Sequence, residues 1–170
     1  MKTEDLMKRI EDAQSDEGPD ERAASLAETV KLLIVRIGGK KYAFHTDHIR
    51  EIVRDTRVYF VPFVPPYVKG ILNRHGDPYT VFDLNWLFEN AALDASIFLI
   101  SNFADDQIAI AISDVVEILK VAENKIRRIA TTPERKDEFF SAVVNMEDAD
   151  IFVIDLALVL ERLENDLESV

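Results

Sequence analysis

The chain has 170 residues, 48% of them apolar, no cysteine and a formal net charge of −12. That length holds one ordinary domain or two small ones sharing a seam, and the apolar fraction suffices for a packed core. Disulfides, thiol catalysis and Cys-ligated zinc are excluded, and a reducing cytoplasm is the expected setting.

The N-terminal MKTEDLMKRIEDAQSDEG has no apolar signal-peptide core, and no apolar run approaches the roughly 18 residues of a membrane span, so neither secretion nor membrane insertion is expected. Within it, Thr3 to Ala13 predicts a short helix with Leu6, Met7 and Ile10 on one face. Residues 14–24, QSDEGPDERAA, read as a flexible acidic connector. Nine acids and four bases fall in residues 1–28, and four acids and one base in residues 161–170. The acidity therefore sits mostly in the ends, and residues 1–28 are expected to form a partly flexible acidic extension. With no basic stripe, binding to nucleic acid or to an anionic membrane is not expected.

From Leu32 the pattern becomes short strands rich in Val, Ile, Phe and Tyr. LLIVRI, a Gly-Gly-Lys turn and the alternating KYAFHT come first. Tyr42, Phe44 and Thr46 share one face of the second strand, and Lys41, Ala43 and His45 the other. RVYFV, the proline-marked PFVPPY, VKGILN, a turn at RHGD and PYTVF follow, and Asp83 is placed to cap a short helix over LNWLFEN. Five strands and a helical turn are thus predicted before Ala91.

The same order then recurs. Leu32 to Val53 lies on Phe98 to Leu119 at a constant offset of 66, pairing Tyr42 and Phe44 with Ile108 and Ile110 and Glu51-Ile52 with Glu117-Ile118. After an insertion the offset becomes 72, and ILNRHGDPYTVFDL lies on VVNMEDADIFVIDL, with Asn73 on Asn145 and Asp83 on Asp155. This internal duplication predicts a mainly β fold of two small five-stranded barrels, each closed to hide its edges. The expected halves are 29–91 and 92–170. A C-terminal helix from Asp155 to about Leu167 should turn Leu156, Leu160 and Leu163 inward.

Catalytic readings find little support. Asp83 and Asp155 resemble a paired-carboxylate site, but they occupy equivalent places before two helices, and N-capping explains both. Glu51 and Glu117 repeat in the same way. His45, His48 and His75, with Asp47 and Asp77, have no register that aims imidazoles at one point, so no metal is expected. No phosphate-binding glycine motif or nucleophile elbow occurs, and no cofactor or enzymatic activity is expected. Binding readings do better. Ile49, Ile52, Val115 and Ile118 follow the second strand of each copy, where a groove between two barrels would run, although a plain core role is the more common one for any single residue of this kind. VPFVPPYVKG is either a recognition loop or a stiff connection.

LLIVRIGGKKYAFHTDHIREIV followed by VPFVPPYVKGILNRHGDPYTVFDL resembles the CheW-type chemotaxis coupling family. In that family a strand, a Gly turn and a Tyr-containing strand lead to V-x-E-[IV], a proline loop, G-[VI]-x-N-x-R-G and a strand ending Asp-Leu. IAIAISDVVEILKVAENKI and FVIDL continue the likeness, which covers residues 30–163 as one domain. The resemblance implies two SH3-like barrels without catalysis. It also implies binding to the regulatory domain of a CheA-type histidine kinase and to the cytoplasmic tip of chemoreceptors, with recruitment to receptor arrays. Self-association within arrays would use an exposed end strand. Carried over, the receptor-facing positions include Ile49, Gly70 and Ile118, and the family's glutamate is Glu51. Its usual arginine partner in N-x-R-G falls on His75, because the sequence reads Asn73-Arg74-His75-Gly76. Arg74 would need a register shift or bulge to take that place, since adjacent strand side chains point to opposite faces. Ile112-Ser113 likewise replaces the family's Val-Asp. These departures leave a divergent scaffold for a non-motility pathway as the alternative reading.

Overall fold

The computed structural model describes residues 28–103, 105–130 and 139–169, so the predicted helix at 3–13 and the acidic connector lie outside the described residues. The first copy forms β1 (Thr29–Ile37), β2 (Lys40–His45), β3 (Ile49–Arg54), β4 (Val58–Tyr59), β5 (Val68–Arg74), β6 (Asp77–Phe82) and helix α1 (Leu84–Glu89). The second forms β7 (Ile97–Ser101), β8 (Ile108–Ile112), β9 (Asp114–Ala122), β10 (Ile126–Arg128), β11 (Phe140–Asn145), β12 (Asp150–Ile154) and helix α2 (Leu156–Glu168).

The strands make two sheets, ordered β3-β7-β8-β6-β5-β4 and β10-β11-β12-β2-β1-β9. The strands at the two ends of each order are neighbours in sequence. β3 bends into β4, and β9 passes through a 3-10 turn at Glu123–Lys125 into β10. Taken as one bent strand each, they close two five-stranded SH3-like barrels, the first from the sheet containing β3 and the second from the sheet containing β9.

The strands are shared differently from the expected split of one barrel per half. Each copy lends its first hairpin to the other copy's barrel: β1–β2 pairs with β9 and β12, and β7–β8 pairs with β3 and β6. Hydrophobicity explains the exchange. Leu32, Ile34 and Ala43 fill the second barrel with Val121, Val144 and Val153. From the other face of the same hairpin, Leu33, Val35, Ile37, Tyr42 and Phe44 join the core of the first barrel and the seam. A hairpin apolar on both faces needs cover on both, which an outer position could not give. The same need accounts for the apolar runs LLIV, IFLI and IAIAI, and for the parallel pairings β2–β12 and β6–β8.

Both helices start as the sequence predicts. Asp83 accepts from the Trp86 amide at 3.2 Å, and Asp155 accepts from those of Ala157 at 2.9 Å and Leu158 at 3.4 Å. The duplication extends further back: the Asp83 N–H donates to the Tyr67 carbonyl and the Asp155 N–H to that of Phe139, again at an offset of 72. The helices differ in length, however. α1 stops after six residues at Asn90, which takes a left-handed conformation, whereas α2 runs for thirteen and buries Leu156, Val159 and Leu163.

Candidate partner-binding surface

β3 and β5 bring three of the predicted residues together. Glu51, facing Ile100 of β7, accepts from Arg74 Nε at 3.0 Å and also from Arg74 Nη2, both on Oε1. His75 Nε2 lies 3.8 Å from Oε2 of the same carboxylate. Arg74 ends β5, and His75 opens the turn at φ 55°, which the Asn73 side chain fastens by accepting from the Gly76 N–H at 3.1 Å. Arg74 is thus the main partner of Glu51, and His75 is a secondary neighbour. The irregularity that such a pairing demands is present twice, as ladder shifts between Ile49 and Glu51 on β3 and between Val68 and Gly70 on β5. Arg50, at the first shift, donates instead to the Tyr79 hydroxyl at 3.1 Å.

The Arg74 hydrogen bond, and then its charge and that of His75, hold the Glu51 carboxyl below its ordinary value of 4.5, with burial opposing. A depressed carboxylate stabilises the folded state fully above the unfolded value and loses that contribution as pH falls through the folded one. Melting temperatures measured from neutral pH downward should therefore drop below about pH 4.5, and Glu51→Gln should flatten that part of the profile. An unchanged profile in the variant would mean that the pair contributes nothing.

The remaining predicted positions divide between core and surface. Ile49 and Val115 pack against the shared core and Gly70 is buried, whereas Asn73 is exposed. Ile52 and Ile118 point outward at 38% and 65% exposure, one in each sheet at equivalent places. Ser113, standing at the altered Val-Asp, ties two strand ends together. Its hydroxyl accepts from the Gly38 N–H at 3.0 Å, and its own N–H donates to the Arg36 carbonyl at 2.8 Å. The His45 and His48 rings are 5.6 Å apart, with His48 edge-on to Phe103. Burial first, and then His48, lowers the His45 pKa from its usual range. Among the described residues no three His, Asp or Glu side chains are grouped to hold a metal ion.

Two apolar features were hidden or undecided in the sequence. Phe60 and Phe63 stand out of the β4–β5 connection, which settles that these aromatics are not packed over the barrel. On the second barrel an open groove of about 1000 Å³ runs between α1 and the β11–β12 hairpin, lined by Tyr42, Phe88, Phe139, Phe140, Met146 and Phe152. Its residues come from four distant stretches. The outward alternation of Phe152 between Ile151 and Val153 was the one local signal.

Two SH3-like barrels with apolar side chains on outer strands, and with carboxylates engaged in caps and ion pairs, make an arrangement suited to binding other proteins. The comparisons agree. The CheW-like domain family matches residues 31–164, and the chain belongs to that family, whose members are non-catalytic chemotaxis scaffolds. The chain is 24% identical over 136 residues to the chemotaxis protein CheW of Bacillus subtilis (strain 168), covering 78% of this chain and 87% of that one. The crystal structure of the scaffolding protein TtCheW from Thermoanaerobacter tengcongensis superimposes with a TM-score of 0.66 at 21% identity, covering 75% of this chain and 90% of that one. Among the described residues no helix is long and apolar enough to cross a membrane.

Proposed function

We propose that this chain couples the cytoplasmic tip of chemoreceptors to the regulatory domain of a CheA-type histidine kinase, in the cytoplasm at receptor arrays. The observation that carries this reading is Ile118, an aliphatic side chain 65% exposed on β9, at the position the family resemblance assigns to the receptor. Exposed aliphatic anchors with a polar rim bind protein surfaces, and no reactive group is required of them. The Glu51–Arg74 pair supports the ordinary coupling role over a specialised non-motility one, because Arg74 restores the guanidinium that His75 had displaced. Glu51, Gly70, Asn73, Arg74 and His75 form or support this rim in the first barrel, and outer strands are the surfaces through which copies would associate within an array.

The test is a titration of the purified protein with the kinase regulatory domain and with a receptor-tip fragment. Ile118→Asp should keep the fold and the kinase affinity while weakening receptor binding by about 30-fold or more, the loss typical of an anchor worth about 2 kcal/mol. Ile49→Asp is a poorer probe, because Ile49 packs on the core and a charge there strains the fold. A folded wild-type protein that binds neither partner would remove the coupling assignment and leave the two barrels standing.

A further inference from the structure

The two helices occupy equivalent places in the duplication but finish differently. Glu89, the last residue of α1, corresponds to Glu161 of α2 at the offset of 72, and α2 then continues over Arg162–Glu168. This continuation lies on the first barrel. Leu163 is 3% exposed within its core, and the Tyr67 hydroxyl sits in the field of Asp166 and Arg162. Nothing equivalent follows α1, so the matching surface of the second barrel is the open aromatic groove. There Phe139, the counterpart of Tyr67, remains buried, while Phe152 and Met146 are 40% and 37% exposed. Aromatics gather along the groove floor: Tyr42 stacks on Phe140 at 5.8 Å between centroids, and Phe140 meets Phe152 at 5.1 Å. The fold's own counterpart thus shows what covers such a surface, namely one or two turns of amphipathic helix.

We propose that residues 3–13 of this same chain supply that cover. Leu6, Met7, Ile10 and Ala13 lie at helical spacing on one side of TEDLMKRIEDA, with acids and bases on the other, the same kind of pattern as Leu156, Val159, Leu160 and Leu163. The connecting length fits as well. Tyr42 pairs with Val35, six residues along β1 from Thr29, so the groove lies about 20 Å from where the described chain begins. A flexible connector of the length of residues 14–27 has a root-mean-square span of about 20 Å, and effective concentration is greatest when span and distance match. The other long stretch outside the described residues, TTPERKDE at 131–138, carries no aliphatic or aromatic side chain and so has no such pattern. The inference is independent of the kinase and receptor assignment.

The chain's lack of cysteine makes a single spin label straightforward. Asp12→Cys, on the charged side of the segment, would carry a nitroxide in the full-length protein, and amide signals would be recorded by NMR. The expected result is loss of the Phe140 and Phe152 signals, independent of protein concentration, with those of the first-barrel turn at Asp77 retained. Leu6→Asp with Ile10→Asp in the same labelled chain should restore the lost signals. Broadening spread evenly over the surface, or no broadening, would overturn the proposal. So would broadening found only when an isotope-labelled chain is mixed with a spin-labelled one, since the occupant would then be a second copy.

Discussion

Gly70→Ala should unfold the first barrel at far lower denaturant than the wild type tolerates. At φ 143° the new Cβ would stand 2.1 Å from the Tyr59 carbonyl oxygen, 2.9 Å from its carbon and 3.0 Å from Val58 Cγ1. Two of those atoms are backbone and cannot swing away. They belong to β4, which is only two residues long and is held by the pairings Val58 to Leu72 and Tyr59 to Ile71. Relief therefore means detaching the strand that closes the barrel. Backbone strain of about 1–3 kcal/mol is added to that loss, so the total should be at least about 3 kcal/mol. Gly39→Ala is the matched control, because its Cβ meets nothing within 4 Å. Equal midpoints for both variants in urea would show that β4 yields freely. Where the Gly70 variant does unfold early, any partner binding lost with it reports a broken barrel and says little about direct contact at that position.

Asp83→Ala should cost far more than Asp155→Ala, although the two residues cap equivalent helices. Asp83 is 1% exposed, and besides the Trp86 amide it accepts from the Leu93 N–H at 2.7 Å. Its Oδ2 also lies 3.7 Å from the Lys69 ammonium, itself mostly buried. Alanine would leave a buried N–H without an acceptor and a largely desolvated cation without its carboxylate, about 3–4 kcal/mol together. Asp155 is only partly buried and serves two amides of the first turn, a cap worth about 1 kcal/mol. Urea denaturation of both variants checks the ranking, and comparable losses would mean that the Lys69 and Leu93 contacts carry no weight.

The repeat, the capping aspartates and the strand order were legible because each has a local cause: a residue type at a fixed offset, a side chain before a helix, an alternation. The exchange of hairpins was not. LLIVRI and IAIAI announce burial on both faces but cannot say which strands provide it, since that depends on contacts remote in sequence. Arg74 was the hard position in the candidate site. Simple alternation turned it away from Glu51, and the ladder shifts at Arg50 and Lys69, which break that alternation, have no marker in the sequence. The aromatic groove was invisible for a related reason. Tyr42, Phe88, Phe140 and Phe152 come from separate elements that only the fold brings together, and α1, which stops at Asn90, does not extend over them.

The exchanged hairpins also bear on how the molecule comes into being. As synthesis proceeds from the N-terminus, β1 and β2 emerge first but have no mates until β9 and β12 have been made, some eighty to a hundred residues later. Until then a ribbon apolar on both sides has nowhere to rest. Neither barrel is a unit that can be completed early, so the nascent chain must carry an unsatisfied, aggregation-prone edge until β12 has been made. A cut in the linker after α1 would yield two fragments that each lack a hairpin and can recover it only from the other. They would be expected to reassemble as a pair when mixed, in the manner of a domain-swapped dimer whose connecting loop has been opened.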